Sequence, residues 1–229
     1  MARKPNTELR RQQIVDGLRQ VIATSGYAGA TIQAIAAASG LAPGLIHYHF
    51  HDKNEILVAL VESLSGYARE RFERRAEAAT TPQERLRAYL DARLAYGPDA
   101  KPDAVAAWVM IGEQAVRDPD VREVYQRAVG NELALIRSLL KACLIDQGKR
   151  ARKVEPLAVG LLAFVEGVFV LASNARSLVP KGFSADMAAT WVTRYISGEP
   201  DVEGPAAGGR KKTTRPAAPT SRRTRREPQ

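Results

Sequence analysis

Apolar residues recur through most of this chain of 229 residues at a spacing of three or four, which is typical of one buried face of an α-helix. The first such run consists of Ile14, Leu18, Val21 and Ile22, and it ends at Gly26. Later runs are separated by proline and glycine, which punctuate helices. No run shows the convincing period of two that is typical of a strand. The pattern therefore predicts an all-α protein.

The ends of the later helices are marked by residues that favour helix starts and stops. Thr81 to Glu84 has the sequence of a capping box with proline at the first helical position. Pro119 opens a long amphipathic helix, and Pro156 opens one that is apolar nearly all round and is therefore expected to be buried on several sides. We expect Ser184 to cap the last helix and Gly198 to close it.

Near the N-terminus, residues 1 to 6 are expected to form a basic arm before a first helix, and two short helices are predicted between residues 31 and 50. Thr31 can cap the first short helix, because its hydroxyl can accept a hydrogen bond from a free backbone amide. Gly40 can end that helix in the left-handed conformation, and Pro43 suits the start of the next. Two helices joined in this way predict a helix-turn-helix, whose second helix lies in the major groove of DNA.

The second short helix has a polar face that suits contact with DNA. When its apolar residues turn inward, Gly44, His47, Tyr48 and His51 fall largely on the other side. Gly44 has no side chain and permits a close approach, whereas His47 and Tyr48 can meet base edges or phosphates. Lys53 sits at the positive end of the following helix, where a bound phosphate would offset its unfavourable charge. The alternative for Lys53 is a solvated surface lysine.

Residues 10 to 64 resemble the N-terminal domain of TetR-family transcriptional repressors, and are similar to the BetI-type members. The resemblance rests on RRQQIVDGLRQVIATSG, TIQAIAAASGL and GLIHYHFHDKNEIL in this order. It implies DNA contacts from Thr31, Gln33, Pro43, Gly44, Leu45, His47, Tyr48, His49 and Lys53. Two residues depart from the family pattern: Ala42 replaces the usual small hydroxyl residue, which removes a helix cap, and His47 stands where many members have tyrosine.

The resemblance also implies how the chain is divided. Residues 8–68 are expected to form the DNA-binding domain, and residues 69–198 a helical effector-binding and dimerisation domain. In the family the last two helices pair with those of a second copy, so we expect a homodimer through residues 156–198. Residues 199–229 have almost nothing apolar to bury and are expected to be a disordered basic tail.

A pocket for a small-molecule effector between the middle helices is a further implication of the resemblance. The candidate lining residues are Trp108, Glu113, Tyr125, Phe164 and Glu166. An acid among aromatic rings can hold an organic cation. The alternative is that the aromatic residues are ordinary core and that Glu166 is satisfied across the dimer interface.

The charge, the cysteine content and the apolar segments of the chain indicate its partners and its cellular compartment. The net charge of +9 favours a polyanionic partner, but residues 201–229 hold eight Lys or Arg and three Asp or Glu, so a net +5 lies in the tail. The single cysteine, Cys143, cannot form an internal disulfide, which fits a reducing compartment. The most apolar segment, Leu157 to Ser173, is short for a membrane span and contains Glu166. We expect a cytoplasmic protein that contacts no membrane.

Two other functions compete with a sequence-specific regulator. A metal-dependent enzyme is suggested only by His47 and His51, which are four residues apart, and no HExxH motif, glycine-rich phosphate loop or clearly placed third ligand accompanies them. We therefore expect no catalysis, metal or cofactor. A non-specific architectural DNA-binding protein is suggested by the basic tail. The helix-turn-helix instead favours a repressor that binds a double-stranded operator and is released by a small effector.

Overall fold

The computed structural model describes residues 4–95, 99–150, 154–180 and 182–199, and the regular elements in these ranges are nine α-helices and one 3-10 turn. The helices are α1 (Lys4–Ser25), α2 (Ile32–Ser39), α3 (Pro43–His49), α4 (Lys53–Ala76), α5 (Pro82–Leu94), α6 (Pro102–Ala115), α7 (Pro119–Asp146), α8 (Val154–Asn174) and α9 (Phe183–Gly198), with the 3-10 turn at Arg176–Leu178. The predicted all-α fold class is confirmed. The predicted tail lies outside the described residues except for Glu199, which is buried.

Three helix starts differ from those expected. α1 begins at Lys4, inside the predicted arm, and α8 begins at Val154, two residues before Pro156. Pro5 and Pro156 lie in the first turns of these helices, where the backbone amide that a proline lacks would have no partner within the helix. The prediction that Ser184 caps α9 was wrong, because Ser184 is buried in the first turn and Gly182 precedes the helix with a φ of 81°. A glycine adopts that left-handed backbone at little cost.

Two hydrophobic clusters organise the chain. The first joins α1, α2, α3 and the first half of α4, and it also takes in Ala107 and Ile111 of α6 and Val121 at the start of α7. The second joins the end of α4, around Phe72, to α5, α7, α8 and α9. Helix α6 therefore packs directly against α1 and α4, which support the helix-turn-helix, although α6 belongs to the C-terminal part of the sequence.

A buried arginine ties the segment between α5 and α6 to α4. Arg71 donates hydrogen bonds to the carbonyls of Ala92 at 2.5 Å and Ala95 at 2.8 Å, and its Nε lies 2.9 Å from a carboxylate oxygen of Asp99. Arg75 donates to the same carboxylate at 2.7 Å. Hydrogen bonds from Arg75 and Arg71 hold the pKa of Asp99 well below its usual range. Helix α4 follows the helix-turn-helix in the chain. These contacts therefore hold Ala95 and Asp99, which precede α6, against α4.

α8 is the most apolar helix of the chain. At 21 residues it is longer than the apolar segment marked in the sequence, and its length and composition alone would also suit a membrane span. Leu161 and Val165 are fully buried inside the chain, as expected for a core helix. Val159, Val170 and Leu171 remain exposed on a different part of its surface.

Candidate DNA-binding surface and effector cavity

α3 presents a polar face to solvent, as its sequence predicts. Ile46 and Phe50 are buried in the first cluster and hold the helix against its support. Gly44 and His47 are exposed, and 76% of the Tyr48 side chain is accessible. A Cβ added at Gly44 would meet no protein atom within 4 Å. The N-terminal end of α3 is therefore open to a large partner such as a DNA groove.

The other candidate DNA contacts surround this face. Thr31 is exposed and caps α2, since its hydroxyl accepts a hydrogen bond from the amide of Ala34 at 3.1 Å. Gln33 and Pro43 are exposed, whereas Leu45 and His49 are half-buried. The His49 ring lies edge-on to Tyr48, with 5.0 Å between the ring centroids. At the start of α3, Ala42 makes no capping hydrogen bond through its side chain.

Lys53 is held more firmly than a solvated surface lysine. Its ammonium lies 4.0 Å from the centroid of the Tyr27 ring and donates a hydrogen bond to the Tyr27 carbonyl at 3.3 Å. Partial burial lowers the pKa of Lys53, and burial also raises the pKa of Tyr27 to about 12. A lysine ammonium has three donors, so this hydrogen bond leaves capacity for a phosphate at the start of α4.

Helices α4 to α8 line a cavity of about 150 Å³. Trp108 and Glu166, both singled out from the sequence, lie in its wall. The indole N–H of Trp108 lies 2.9 Å and 3.1 Å from the two carboxylate oxygens of Glu166, and the Tyr125 hydroxyl donates to the same carboxylate at 3.4 Å. The rings of Trp108 and Tyr125 are 4.9 Å apart. Burial raises the pKa of Glu166, although the Trp108 hydrogen bond, the charge of Arg93 and the Tyr125 hydrogen bond favour its ionised form.

A second acid in the cavity wall, Glu132, is paired with a cation of the protein. Glu132 accepts a hydrogen bond from the Tyr89 hydroxyl at 2.6 Å, and one of its oxygens lies 3.1 Å from Nε of Arg93. That Arg93 Nε makes no well-aligned hydrogen bond, so the contact is an ion pair only. The guanidinium of Arg93 also lies 5.2 Å from the centroid of the Phe169 ring. Sequence reasoning did not identify these residues, because charged positions on amphipathic helices resemble solvated ones.

Three of the five effector candidates, Glu113, Tyr125 and Phe164, lie outside the cavity wall, although Tyr125 contacts it through its hydrogen bond to Glu166. Glu113 is exposed on α6 and pairs with Arg117 at 3.4 Å, four residues along the same helix. Phe164 is half-buried and packs against the second hydrophobic cluster.

The histidine pair does not have the geometry that a helical metal site requires. α3 ends at His49, so His51 lies in the following turn and does not share a helical face with His47. Within the ranges that the structure describes, there is no group of three or more His, Cys, Asp or Glu residues that could hold a metal ion.

Known proteins with similar sequences and folds are transcriptional regulators. The chain is 28% identical over 202 residues to the HTH-type transcriptional regulator BetI of Rhizobium meliloti (strain 1021), covering 86% of this chain and 95% of that protein. The BetI regulator of Brucella suis (strain ATCC 23445 / NCTC 10510) is 22% identical over 198 residues, covering 85% and 96%.

Solved structures show the same fold. A putative transcriptional regulator from Pseudomonas aeruginosa PAO1 has a TM-score of 0.74 at 19% identity, covering 83% of this chain and 92% of that one. A putative transcriptional regulator from Saccharomonospora viridis in complex with choline has a TM-score of 0.65 at 22% identity, covering 83% and 97%.

Two family profiles match the chain. Residues 14–60 match the profile of bacterial regulatory proteins of the TetR family, and residues 82–199 match the C-terminal profile of BetI-type transcriptional repressors. The chain therefore belongs to the TetR family of DNA-binding transcriptional regulators, among its BetI-type repressors.

Proposed function

We propose that this protein is a cytoplasmic repressor that a small organic cation releases from its operator. The observation that carries the proposal is Glu166, a largely buried carboxylate in the cavity wall whose hydrogen-bond donors, Trp108 and Tyr125, are both neutral. An organic cation in the cavity would add to the opposite charge that Arg93 already supplies to Glu166, and it could stack on an aromatic ring. The complex of the Saccharomonospora neighbour with choline suggests the same class of ligand.

Operator contacts are assigned to the exposed face of the head, which is the part of the chain formed by α1, α2, α3 and the first half of α4. Gly44, His47 and Tyr48 would enter the major groove, and Thr31, Gln33, Pro43, Leu45, His49 and Lys53 would contact the backbone or neighbouring bases. Their exposure around the open end of α3 supports this assignment, although Leu45, His49 and Lys53 are half-buried. Residues 8–68 would be the DNA-binding domain and residues 69–198 the regulatory domain.

α6 is the element that would couple the cavity to the head. It places Trp108 in the cavity wall, while Ala107 and Ile111 on its neighbouring face pack in the hydrophobic cluster of the head. Its first turn is also tied to α1, because Arg19 donates a hydrogen bond to Asp103. A ligand that favours a shifted α6 would therefore change how the two heads are spaced, provided that its affinity for the two conformations differs.

TetR-family regulators dimerise, and in this chain the exposed apolar face of α8 and α9 fits a second copy. Val159, Val170 and Leu171 of α8 are exposed, as are Met187 and Trp191 of α9. Trp191 packs closely on α8, where a Cβ added at Gly160 would lie 3.0 Å from its ring. Apolar side chains on two adjoining helices suit the face of a four-helix bundle.

Acidic substitutions on this face should separate the subunits. We expect the double variant Val159→Glu/Val170→Glu to be monomeric at micromolar concentration in analytical ultracentrifugation, because association would desolvate the new carboxylates without partners. Ile145→Glu is the matched control, since Ile145 is an exposed apolar residue at the end of α7. Equal self-association of the double variant and the control would contradict a dimer through residues 156–198.

Operator selection followed by ligand titration tests the function as a whole. Sequences bound from a random duplex library would define the operator, and footprinting would show its half-sites. We expect choline to dissociate the operator complex while leaving the weak complex with an unrelated duplex unchanged. If the operator complex persists in saturating choline and calorimetry detects no choline binding, the organic-cation proposal is wrong.

A further inference from the structure

The recognition helix α3 is weakly fixed at its N-terminal end. It has seven residues, and the side chain of Ala42 has no acceptor that could bind the free amides of its first turn. A helix this short has little stability of its own, so its orientation depends on contacts with its surroundings. Ile46 and Phe50, the residue that follows the helix, are buried and anchor one face of it.

An arginine from α1 binds the C-terminal end of α3. Arg11 donates a hydrogen bond to the backbone carbonyl of His49, the last residue of α3. The same guanidinium lies 3.9 Å from the centroid of the Phe50 ring and 3.3 Å from a carboxylate oxygen of Glu55 on α4. A positive group at the C-terminus of a helix is favourable, because the free carbonyls carry partial negative charge.

Glu55 holds the chain on the other side of the same turn. Its second carboxylate oxygen accepts a hydrogen bond from the backbone amide of His51 at 2.8 Å. Its own amide is bound by the side chain of Asp52 at 2.8 Å. The carbonyl that enters the turn and the amide that leaves it are thus held by an ion pair between α1 and α4.

We infer that Arg11 and Glu55 are positioning residues that set the angle of the recognition helix against the head, and that they act in place of the missing cap at Ala42. Arg11 contributes through protein contacts and not through a DNA phosphate. The inference rests on the proposed role of α3 in reading DNA, and it is independent of the cavity.

Charge-conserving and charge-removing variants separate positioning from a phosphate contact. We expect Arg11→Gln and Arg11→Lys to weaken operator binding similarly, by about tenfold, because a lysine cannot bridge a carbonyl, a carboxylate and a ring at once. Affinity for an unrelated duplex should change less than about twofold, and the salt dependence should stay the same. A lost phosphate contact would instead lower the slope of log K against log salt by about 0.9, and lysine would restore it.

The variant Glu55→Gln should change DNA affinity in opposite directions depending on whether Arg11 positions α3 or contacts a phosphate. Glutamine still offers an oxygen to the His51 amide but cannot pair with Arg11, so positioning predicts weaker operator binding. If Arg11 contacted phosphate, removal of a neighbouring carboxylate would strengthen binding to every duplex. Thermal melting of each variant identifies a loss of fold. Glu55→Gln carries the test if the Arg11 variants melt early.

Restoring the missing cap gives an independent readout. Ala42 has the extended backbone of a cap residue, so Ala42→Ser can bind a free amide of α3. In the Arg11→Gln background it should recover most of the lost operator affinity. Lack of recovery would overturn the positioning role. So would an unchanged operator affinity in Arg11→Gln, and if Gly44→Leu still loses binding, the role of α3 in reading DNA stays intact.

Discussion

Replacing Gly44 by leucine should abolish operator binding without destabilising the protein. A Cβ at this position meets no protein atom within 4 Å, so the fold accommodates a side chain. Glycine disfavours a helix by up to about 1 kcal/mol, so melting should be unchanged or slightly higher. In the groove, however, leucine would occupy the space into which the helix end inserts. We expect operator affinity to fall at least about 100-fold, which corresponds to about 2.7 kcal/mol.

Gly130→Leu is the matched control for this variant. Gly130 is also an exposed helical glycine with no atom within 4 Å of an added Cβ, but it lies on α7. The control should keep operator affinity within about twofold, since surface changes away from a binding site are usually small. Electrophoretic mobility shift and thermal melting, measured on both variants, give the two quantities. Full operator binding by Gly44→Leu would show that the N-terminal end of α3 does not enter the groove.

Replacing Glu166 by glutamine should remove the response to organic cations while sparing DNA binding. Glutamine is nearly isosteric and keeps an oxygen for the Trp108 indole, so the cavity should retain its shape. The lost charge should raise the Kd for choline by about 30-fold or more, because removing one member of a buried charged pair costs about 2 kcal/mol or more. Calorimetry would measure the Kd, and mobility shifts would measure operator affinity without ligand.

Glu113→Gln is the control for the charge change. It removes an acid of the same type from the exposed surface of α6, where Glu113 pairs only with Arg117 among the ion pairs described. Choline binding by this control should be unchanged. In the native protein, choline binding should also weaken on acidification, because burial raises the pKa of Glu166 and the neutral form appears as the pH falls through that raised value. Equal loss of choline binding in both variants would contradict a direct role for Glu166.

Local features of the sequence predicted much of this fold. The Thr31 cap, the left-handed Gly40 and the capping box of Thr81 and Glu84 are formed as expected, because each depends only on residues within one turn. The inward direction of Ile46 and Phe50 follows from their spacing alone. The Ser184 cap failed because a glycine nearby supplied a different backbone entry to the helix.

Features that depend on contact between distant helices were not predictable in the same way. Glu113 and Glu166 both lie on helices with many apolar residues, and only packing places one outside and the other in the cavity wall. The ion pair of Arg93 with Glu132 joins α5 to α7, and the contact of Arg11 with His49 spans 38 positions of sequence. A single sequence does not specify such pairings, because helical periodicity gives the direction of a side chain but not its partner.

The shared hydrophobic cluster of α1 to α4 with α6 limits how such regulators can be recombined. Ala107 and Ile111 are fully buried in that cluster. A head cut off after α4 would therefore expose the apolar patch that these residues cover. A chimaera that grafts this head onto another regulator would need to bring along the matching side of α6. The two parts of this protein therefore meet at a packed surface that includes α6. No single cut in the chain between them would separate the two parts cleanly.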